Sequence, residues 1–439
     1  MPFELSPIKL VYGGDALGHY AGRTVLAPRV IPGERVEVEE VRTAKGVVHA
    51  RPLRILEPSP ERIEPPCPYF GRCGGCQYQH FNPERQAAAK REILRETLRR
   101  LGTIHWEAEI PLHAGPSWNY RNQAQLKVIQ GADGRAEVGF FEGESHRVFP
   151  VDTCLTISPR LNSTLSELRG AAWASRLAAC QEIELLADDQ DEKVMVVLRD
   201  CTVPAQPRTR YRAELEALGR DCLAGLPGVV TVVVEEEKHL KVFGEPAIVY
   251  TVGEFRYRIS PGSFFQVNRY LVPELTAAVT DGESGSTAID LFAGVGLFSL
   301  PLARRFQDVV SVEAEAQAVA DLAANAQAHG MKNLRAVGEN VFDFLRRCAI
   351  REPDLVVLDP PRAGVGINAL QLLVKLRPKR LHYVSCNPPT LARDLRFLLD
   401  QGYELNSVEF FDFFPQTYHI ESLAKLSWGH SDVPSNLNH

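Results

Sequence analysis

No apolar stretch in these 439 residues approaches the roughly 18 that a membrane-spanning helix needs. The opening Met1-Pro2-Phe3-Glu4-Leu5 also lacks the charged and apolar regions of a secretory signal. Membrane insertion and export are therefore not expected, and the default location is the cytoplasm. Nor is there an excess of positive charge. The formal net charge is −6, which argues against a chain that holds nucleic acid by bulk electrostatics, although a local basic face is compatible with it. A paired cysteine framework is missing as well: the nine cysteines are odd in number, and a large intracellular chain has no need of disulfides, so they are expected to be metal ligands, catalysts or core fillers. What is present is 45% hydrophobic residues, ample for the buried cores of two or three domains.

Three regions differ in pattern. Residues 1–60 alternate short β-type runs, such as Ile8 to Tyr12, Thr24 to Ala27 and Arg35 to Val38, with Gly13-Gly14 and Pro32-Gly33-Glu34 turns, which predicts a small β-barrel closed off by the proline-rich stretch Pro58 to Pro68. Residues 61–258 open with a helix from about Pro83 to Leu101, striped by Ile93, Leu94, Leu98 and Leu101. On it Arg85, Lys90, Arg91, Arg95, Arg99 and Arg100 form either a basic face or, interleaved with Glu84, Glu92 and Glu96, a solvated one. Strand-like runs follow, including Gln125 to Ile129, Val194 to Leu198 and Thr231 to Val234, and predict a central α+β domain on an antiparallel sheet. Residues 259–439 alternate strand and helix: Thr287 to Leu291, Leu297 to Phe306, Val309 to Val312, Gln317 to His329, Asp354 to Leu358 and Arg380 to Cys386. That alternation predicts an α/β, Rossmann-like, doubly wound sheet whose ligands sit beyond the carboxyl ends of its strands.

Four motifs carry chemistry. Cys67, Cys73 and Cys76 give C-x5-C-x2-C with glycines between, a loop able to turn several thiolates to one centre; Cys154 is the best fourth ligand, and zinc or an iron–sulfur cluster would accept the set. Asp290-Leu291-Phe292-Ala293-Gly294-Val295-Gly296 supplies small residues where a loop passes under a nucleotide and enters a helix. Glu313 ends the next strand, where a carboxylate can accept ribose hydroxyls, and Asn340 or Asp343 follows the third. A nicotinamide dehydrogenase would share these features, but it accounts for neither Asp359-Pro360-Pro361-Arg362 nor Ser385-Cys386-Asn387-Pro388, which puts a lone cysteine at a strand end before the helix Pro389 to Leu399. Polar backbone groups at that helix start are expected to favour the thiolate. Glu421, in His419-Ile420-Glu421, is the carboxylate expected to act as a base.

With these residues assembled, the whole chain resembles the S-adenosylmethionine-dependent RNA uracil-5-methyltransferases, and residues 1–60 resemble the RNA-binding TRAM domain. The resemblance implies a class I methyltransferase domain that methylates uridine C5 through a thiolate adduct at C6. It implies Cys386 as nucleophile and Glu421 as base, with cofactor contacts from Gln266, Phe292, Glu313, Asn340 and Asp359. It further implies a four-iron four-sulfur cluster on Cys67, Cys73, Cys76 and Cys154. Phe264 is expected either to stack on an extruded base or to pack in the core, and Arg121 and Asn122 either to touch the RNA backbone or to serve structure. Leu297 stands where many members have asparagine. Members with both the barrel and the four cysteines typically act on large-subunit ribosomal RNA, so 23S rRNA is the expected substrate, tRNA the alternative. A monomer without an obligate protein partner is expected. A non-catalytic RNA-binding iron–sulfur factor is the competing class.

Overall fold

A computed structural model describes residues 1–131, 134–201, 208–236 and 239–429, which divide into two compact units. Each unit is discontinuous in sequence. The helix Pro83–Gly102 crosses from the first unit to the second after Ile93. Among the described residues no helix is long and apolar enough to cross a membrane.

The first unit comprises residues 1–93, 114–273 and 412–419. Its N-terminal part is a six-stranded sheet ordered Pro2–Leu5, Arg35–Ala44, Val47–Glu57, Arg23–Pro28, Asp15–Tyr20, Lys9–Leu10. Alternation explains it: along Arg35–Ala44, Val36 and Val38 are buried while Glu37 and Glu39 reach outward to Arg54 and Arg51 of the neighbouring strand. The central part is a seven-stranded sheet ordered Val148–Pro150, Ala136–Phe141, Gln123–Gln130, Glu182–Ala187, Val194–Arg199, Val229–Glu236, His239–Gly244. Leu126, Ile183, Val196 and Leu198 close its core against Leu161, Leu165 and Leu168 of the helix Pro159–Gly170.

Three expectations need correction here. The central sheet is not wholly antiparallel, because Val194–Arg199 runs parallel to Val229–Glu236 and the helix Arg208–Gly225 makes the crossover that parallel neighbours require. Second, Cys180 and Cys201 form a disulfide. The antiparallel register that sets Glu182 opposite Arg199 brings the two cysteines opposite each other two residues further on, a proximity invisible in their linear spacing. Third, Lys90 belongs to no basic face: it is fully buried, its ammonium 2.7 Å from Asp412 Oδ1 and donating to the Phe414 carbonyl at 2.8 Å. Leu101 likewise leaves the apolar stripe and is exposed, whereas Ile93, Leu94 and Leu98 are buried.

The second unit comprises residues 94–113, 274–411 and 420–439, of which those to 429 are described. Its eight-stranded sheet is ordered Leu334–Gly338, Phe306–Glu313, Gly285–Leu291, Leu355–Leu358, Arg380–Ser385, Glu421–Trp428, Tyr403–Phe411, Leu112–His113. The first five are mutually parallel, Glu421–Trp428 inserts antiparallel beside the fifth, and Tyr403–Phe411 is antiparallel to it. This is the doubly wound, Rossmann-like sheet that the strand–helix alternation foretold. Buried runs such as Leu355-Val356-Val357-Leu358 are apolar on both faces because helices cover both. The expected helix from Leu297 to Phe306 is shorter, Ser299–Ala303, and Phe306 opens the next strand.

Candidate active site

The loop after Gly285–Leu291 is shaped by backbone torsion. Phe292 adopts φ +66°, rare for a residue with a side chain, and Gly296 sits at φ +96°, where a Cβ would meet Leu322 Cδ1 at 2.5 Å. The Gly294 N–H donates to Glu313 Oε2 at 2.9 Å, which ties this loop to the end of the neighbouring strand. Glu313 Oε1 accepts from the N–H groups of Ala314 and Glu315 at 2.6 and 2.8 Å. A carboxylate has about four acceptor sites, so these three bonds fix its orientation and leave room for a hydroxyl donor. Asp290 is fully buried and accepts from the Ser299 hydroxyl. Burial, with the charges of Asp359 and Glu313 beside it, pushes its carboxyl up to about 7. Asn340 does different work from its neighbours: it caps the helix Val341–Arg347, accepting from the Asp343 N–H at 2.9 Å, and is exposed.

Cys386 and Glu421 come together through sheet register. Arg380–Ser385 and Glu421–Trp428 pair antiparallel as far as Ser385 opposite Ser422, so Cys386 and Glu421 both lie one residue beyond that last pair, and the Glu421 charge acts on the thiol. The Ser422 hydroxyl donates to the Ser385 carbonyl at 3.3 Å and the Ser385 hydroxyl accepts from the Asn387 N–H at 3.2 Å, which shapes the strand end. Glu421 is buried. Burial and then the Asp359 charge hold its carboxyl well above the usual carboxylate range, while Arg362 pulls it down.

The expectation that the helix start favours a Cys386 thiolate is not met. Burial, then the charges of Glu421 and Asp359, push the thiol up to about 12, against a smaller opposing pull from Arg362. Asp359 thus influences Asp290, Cys386 and Glu421 together, and Arg362 is the cation facing the last two. The sequence marked Arg362 only as the last residue of the Asp359-Pro360-Pro361-Arg362 motif. Its electrostatic place could not be read there.

The remaining expected residues lie in the first unit. Phe264 is 63% exposed, which rules out core packing, whereas Gln266 is buried and its carbonyl accepts from Asn122 Nδ2 at 3.1 Å. Asn122 is itself buried, so it has no surface to offer an RNA backbone. Cys67, Cys73, Cys76 and Cys154 line one cavity of about 430 Å³ together with Gln79, Arg121 and Phe264. As they stand, no three His, Cys, Asp or Glu side chains among the described residues are gathered closely enough to hold a metal ion. The donor set nevertheless suits a thiolate-bound group. The Gly75 N–H donates to Cys73 Sγ at 3.4 Å, and the buried Gln79 side chain lines the same cavity, where its influence favours the thiolates of Cys67 and Cys76. Arg121 stands beside Cys76 and Cys154, its guanidinium 5.7 Å from the centres of the Tyr120 and Phe414 rings, with no carboxylate partner among the described residues. Sequence reasoning missed Gln79, whose only signal was its place three residues after Cys76.

The family model for tRNA (uracil-5-)-methyltransferases matches residues 82–427. An RNA methyltransferase of Aquifex aeolicus is 35% identical over 430 residues, covering 97% of this chain and 98% of its own. The 23S rRNA (uracil(1939)-C(5))-methyltransferase RlmD of Alkalilimnicola ehrlichii is 35% identical over 443 residues, covering 96% of each. Among solved structures, the Pyrococcus abyssi tRNA (uracil-54, C5)-methyltransferase in complex with S-adenosyl-L-homocysteine covers 96% of this chain and 100% of its own, with a TM-score of 0.73 and 23% identity, a likeness of fold.

Proposed function

Because the chain belongs to the tRNA (uracil-5-)-methyltransferase family, we propose that it methylates C5 of a uridine in 23S ribosomal RNA, with Cys386 as nucleophile and Glu421 as the base. The observation that carries the assignment of roles is the strand end at Ser385–Ser422, beyond which the thiol comes under the charge of a buried carboxyl. S-adenosylmethionine supplies an electrophilic methyl group on a sulfonium. Its nucleoside suits the Phe292–Gly296 loop and the oriented carboxylate of Glu313, with Asp359 at the adjoining strand end; Gln266 and Asn340 remain expected contacts.

Uracil C5 is a poor nucleophile until C6 has been attacked. The Cys386 thiol gives up its proton to solvent water as Sγ bonds to C6, and the electron pair of the C5–C6 double bond becomes an enolate that takes the methyl group at C5, S-adenosylhomocysteine leaving with the electron pair of the broken carbon–sulfur bond. Glu421, ionised by loss of its own proton to solvent before this step, accepts the C5 proton, the double bond re-forms, and the Sγ–C6 bond breaks to release the thiolate. Burial pushes the Cys386 thiol up to about 12 and shifts the Glu421 carboxyl toward its protonated form. The thiol is thus protected from adventitious alkylation, and a carboxyl that resists ionisation is a strong proton acceptor once ionised. Arg362 opposes both shifts and is the group that eases ionisation when substrate excludes water.

The 23S assignment draws on the relatives named for that substrate, among them RlmD of Pectobacterium atrosepticum, 35% identical over 418 residues. We assign Cys67, Cys73, Cys76 and Cys154 to a four-iron four-sulfur cluster: the cavity's 430 Å³ is more than ten times the ~30 Å³ share of a water molecule, and Arg121 and Gln79 complement an anionic thiolate-bound group. The cluster's role is structural or RNA-binding, since methyl transfer moves no net electrons. The N-terminal sheet is read as TRAM-like, and Phe264 as a platform for an unstacked base. Trapping tests the roles directly. Glu421→Gln leaves the C5 proton in place, so a protein–RNA adduct carrying the labelled methyl group accumulates on denaturing gels and is absent with Cys386→Ala; no adduct in the Glu421→Gln protein, with methylation unchanged, overturns the assignment.

A further inference from the structure

The loop of residues 359–366 carries Asp359 and Arg362, and no regular secondary structure holds it. What holds it is the helix Pro388–Asp400 that follows Cys386. Asn387 Nδ2 and the Thr390 hydroxyl both donate to the Arg362 carbonyl, at 2.9 and 3.2 Å. Arg393 Nη2 donates to the Ala363 carbonyl at 3.0 Å. One turn of helix beyond Thr390, Asp394 is wholly buried, and its Oδ2 accepts from the Val365 N–H at 2.9 Å and from the Tyr383 hydroxyl at 2.7 Å. Its Oδ1 pairs with Arg393 at 2.7 Å. The loop is built to lie against this carboxylate: Gly364 adopts φ +77°, and a Cβ there would stand 2.6 Å from Asp394 Oδ2 and 2.8 Å from Arg393 Nη2.

A buried carboxylate is costly unless each lone pair finds a donor, and here the donors come from three separate segments. We propose that Asp394 is a positioning residue which, with Tyr383 and Arg393, latches the 359–366 loop to the helix after Cys386 and so fixes Arg362 relative to the Cys386–Glu421 pair. Tyr383 lies three residues before Cys386 on the same strand. The strand end, the nucleophile's helix and the loop bearing the cation are therefore joined at one atom, Asp394 Oδ2. The proposal rests on the roles assigned to Cys386 and Arg362.

Asp394→Asn keeps the shape but has one acceptor oxygen for three donors, and Gly364→Ala forces a methyl group into the latch without altering any charge. Each variant is compared with the wild type for melting temperature, S-adenosylmethionine affinity, kcat and KM for RNA, and the pH dependence of single-turnover methylation. A displacement of catalytic groups by about 1 Å costs on the order of 100-fold, so both variants are expected to lose ten- to hundredfold in kcat with cofactor affinity intact. The rising limb of their pH profile moves to higher pH as Arg362 leaves Cys386. Tyr383→Phe, which removes one donor, shows the same shift in milder form. Unchanged kcat and pH profile in Asp394→Asn and Gly364→Ala overturn the latch, as does a fall in kcat that merely parallels lost folded protein with the profile unmoved. Cys386→Ala run alongside separates the two failures: if it methylates normally, the reading of the site is wrong, and if it is inert while the latch variants are normal, only the latch is.

Discussion

Burial lifts the thiol of Cys386 to about 12 and those of Cys73 and Cys76 to about 11 and 12, yet the second influences on them differ in kind. Around Cys386 the next largest effects are carboxylates, Glu421 and Asp359, which resist the thiolate further. Around the four-cysteine cavity they are polar groups that favour the thiolate, the Gly75 N–H donating to Cys73 and the Gln79 side chain and Tyr69 backbone beside Cys76 and Cys67, opposed by the thiols' own repulsion of one another. A lone protonated thiol suits a nucleophile that must ionise only when its substrate arrives. Four cysteines lining one cavity, with the Gly75 N–H and Arg121 already beside them, suit a permanent cationic occupant that would offset the repulsion between their thiolates. Residue type alone does not separate the two uses; the partners do.

That contrast breaks most visibly at the nucleophile. Cys386→Ala is expected to lower methylation by at least ~10⁴-fold, on the precedent of nucleophiles that act within a unit, while leaving iron content and cofactor affinity unchanged. Cys76→Ser should do the reverse, removing iron and sulfide from anaerobically purified protein while Cys386 still alkylates at its normal rate. If Cys76→Ser keeps its full iron content, the cavity is no cluster site. A third expectation sharpens the pairing with carboxylates: alkylation of Cys386 by iodoacetamide should be slow at pH 7 and keep rising beyond pH 10, and Arg362→Gln should slow it further. A Cys386 thiol that titrates near 7 would contradict the electrostatic account.

Much of this contrast was legible in the sequence, and the reason is local. The motif around Cys386, the Phe292–Gly296 loop and the C-x5-C-x2-C spacing each lie within a few residues, and the strand–helix alternation after residue 260 foretold the parallel sheet around the first two. What could not be read depends on register between distant segments. The Cys180–Cys201 disulfide, the parallel pair in the central sheet and the burial of Lys90 against Asp412 all follow from which strands and loops meet. The misjudged ionisation of Cys386 has the same origin. A helix start is visible in sequence, but burial of the thiol, and after it the charges of Glu421 and Asp359, outweigh it. No nicotinamide enzyme is needed to explain the glycine loop once the family is known.

Smaller effects come from residues outside both cysteine sites. Phe264→Ala removes an exposed aromatic face, and loss of one stacked base costs ~1–3 kcal/mol in RNA affinity, so binding should weaken about 5- to 150-fold with cofactor affinity unaltered; filter binding reads this directly. Asp290 gives a stability signature. Its carboxyl rises from 3.8 to about 7 on folding, so the folded state binds the extra proton, and the stability this contributes is complete below pH 4 and lost as pH rises through 7. The span is on the order of 4 kcal/mol. Asp290→Asn should flatten that decline in chemical denaturation between pH 4 and 7, and an unchanged slope would show that Asp290 is not the group responsible.

The most direct test of the central claim is anaerobic incubation of the purified protein with methyl-labelled S-adenosylmethionine and unmodified 23S rRNA or tRNA transcripts, followed by nucleoside analysis, with Cys386→Ala as control. The account predicts label in 5-methyluridine from the 23S transcript, none from tRNA and none with Cys386→Ala. Label in a nucleoside other than 5-methyluridine, or 5-methyluridine formed equally by Cys386→Ala, would contradict it.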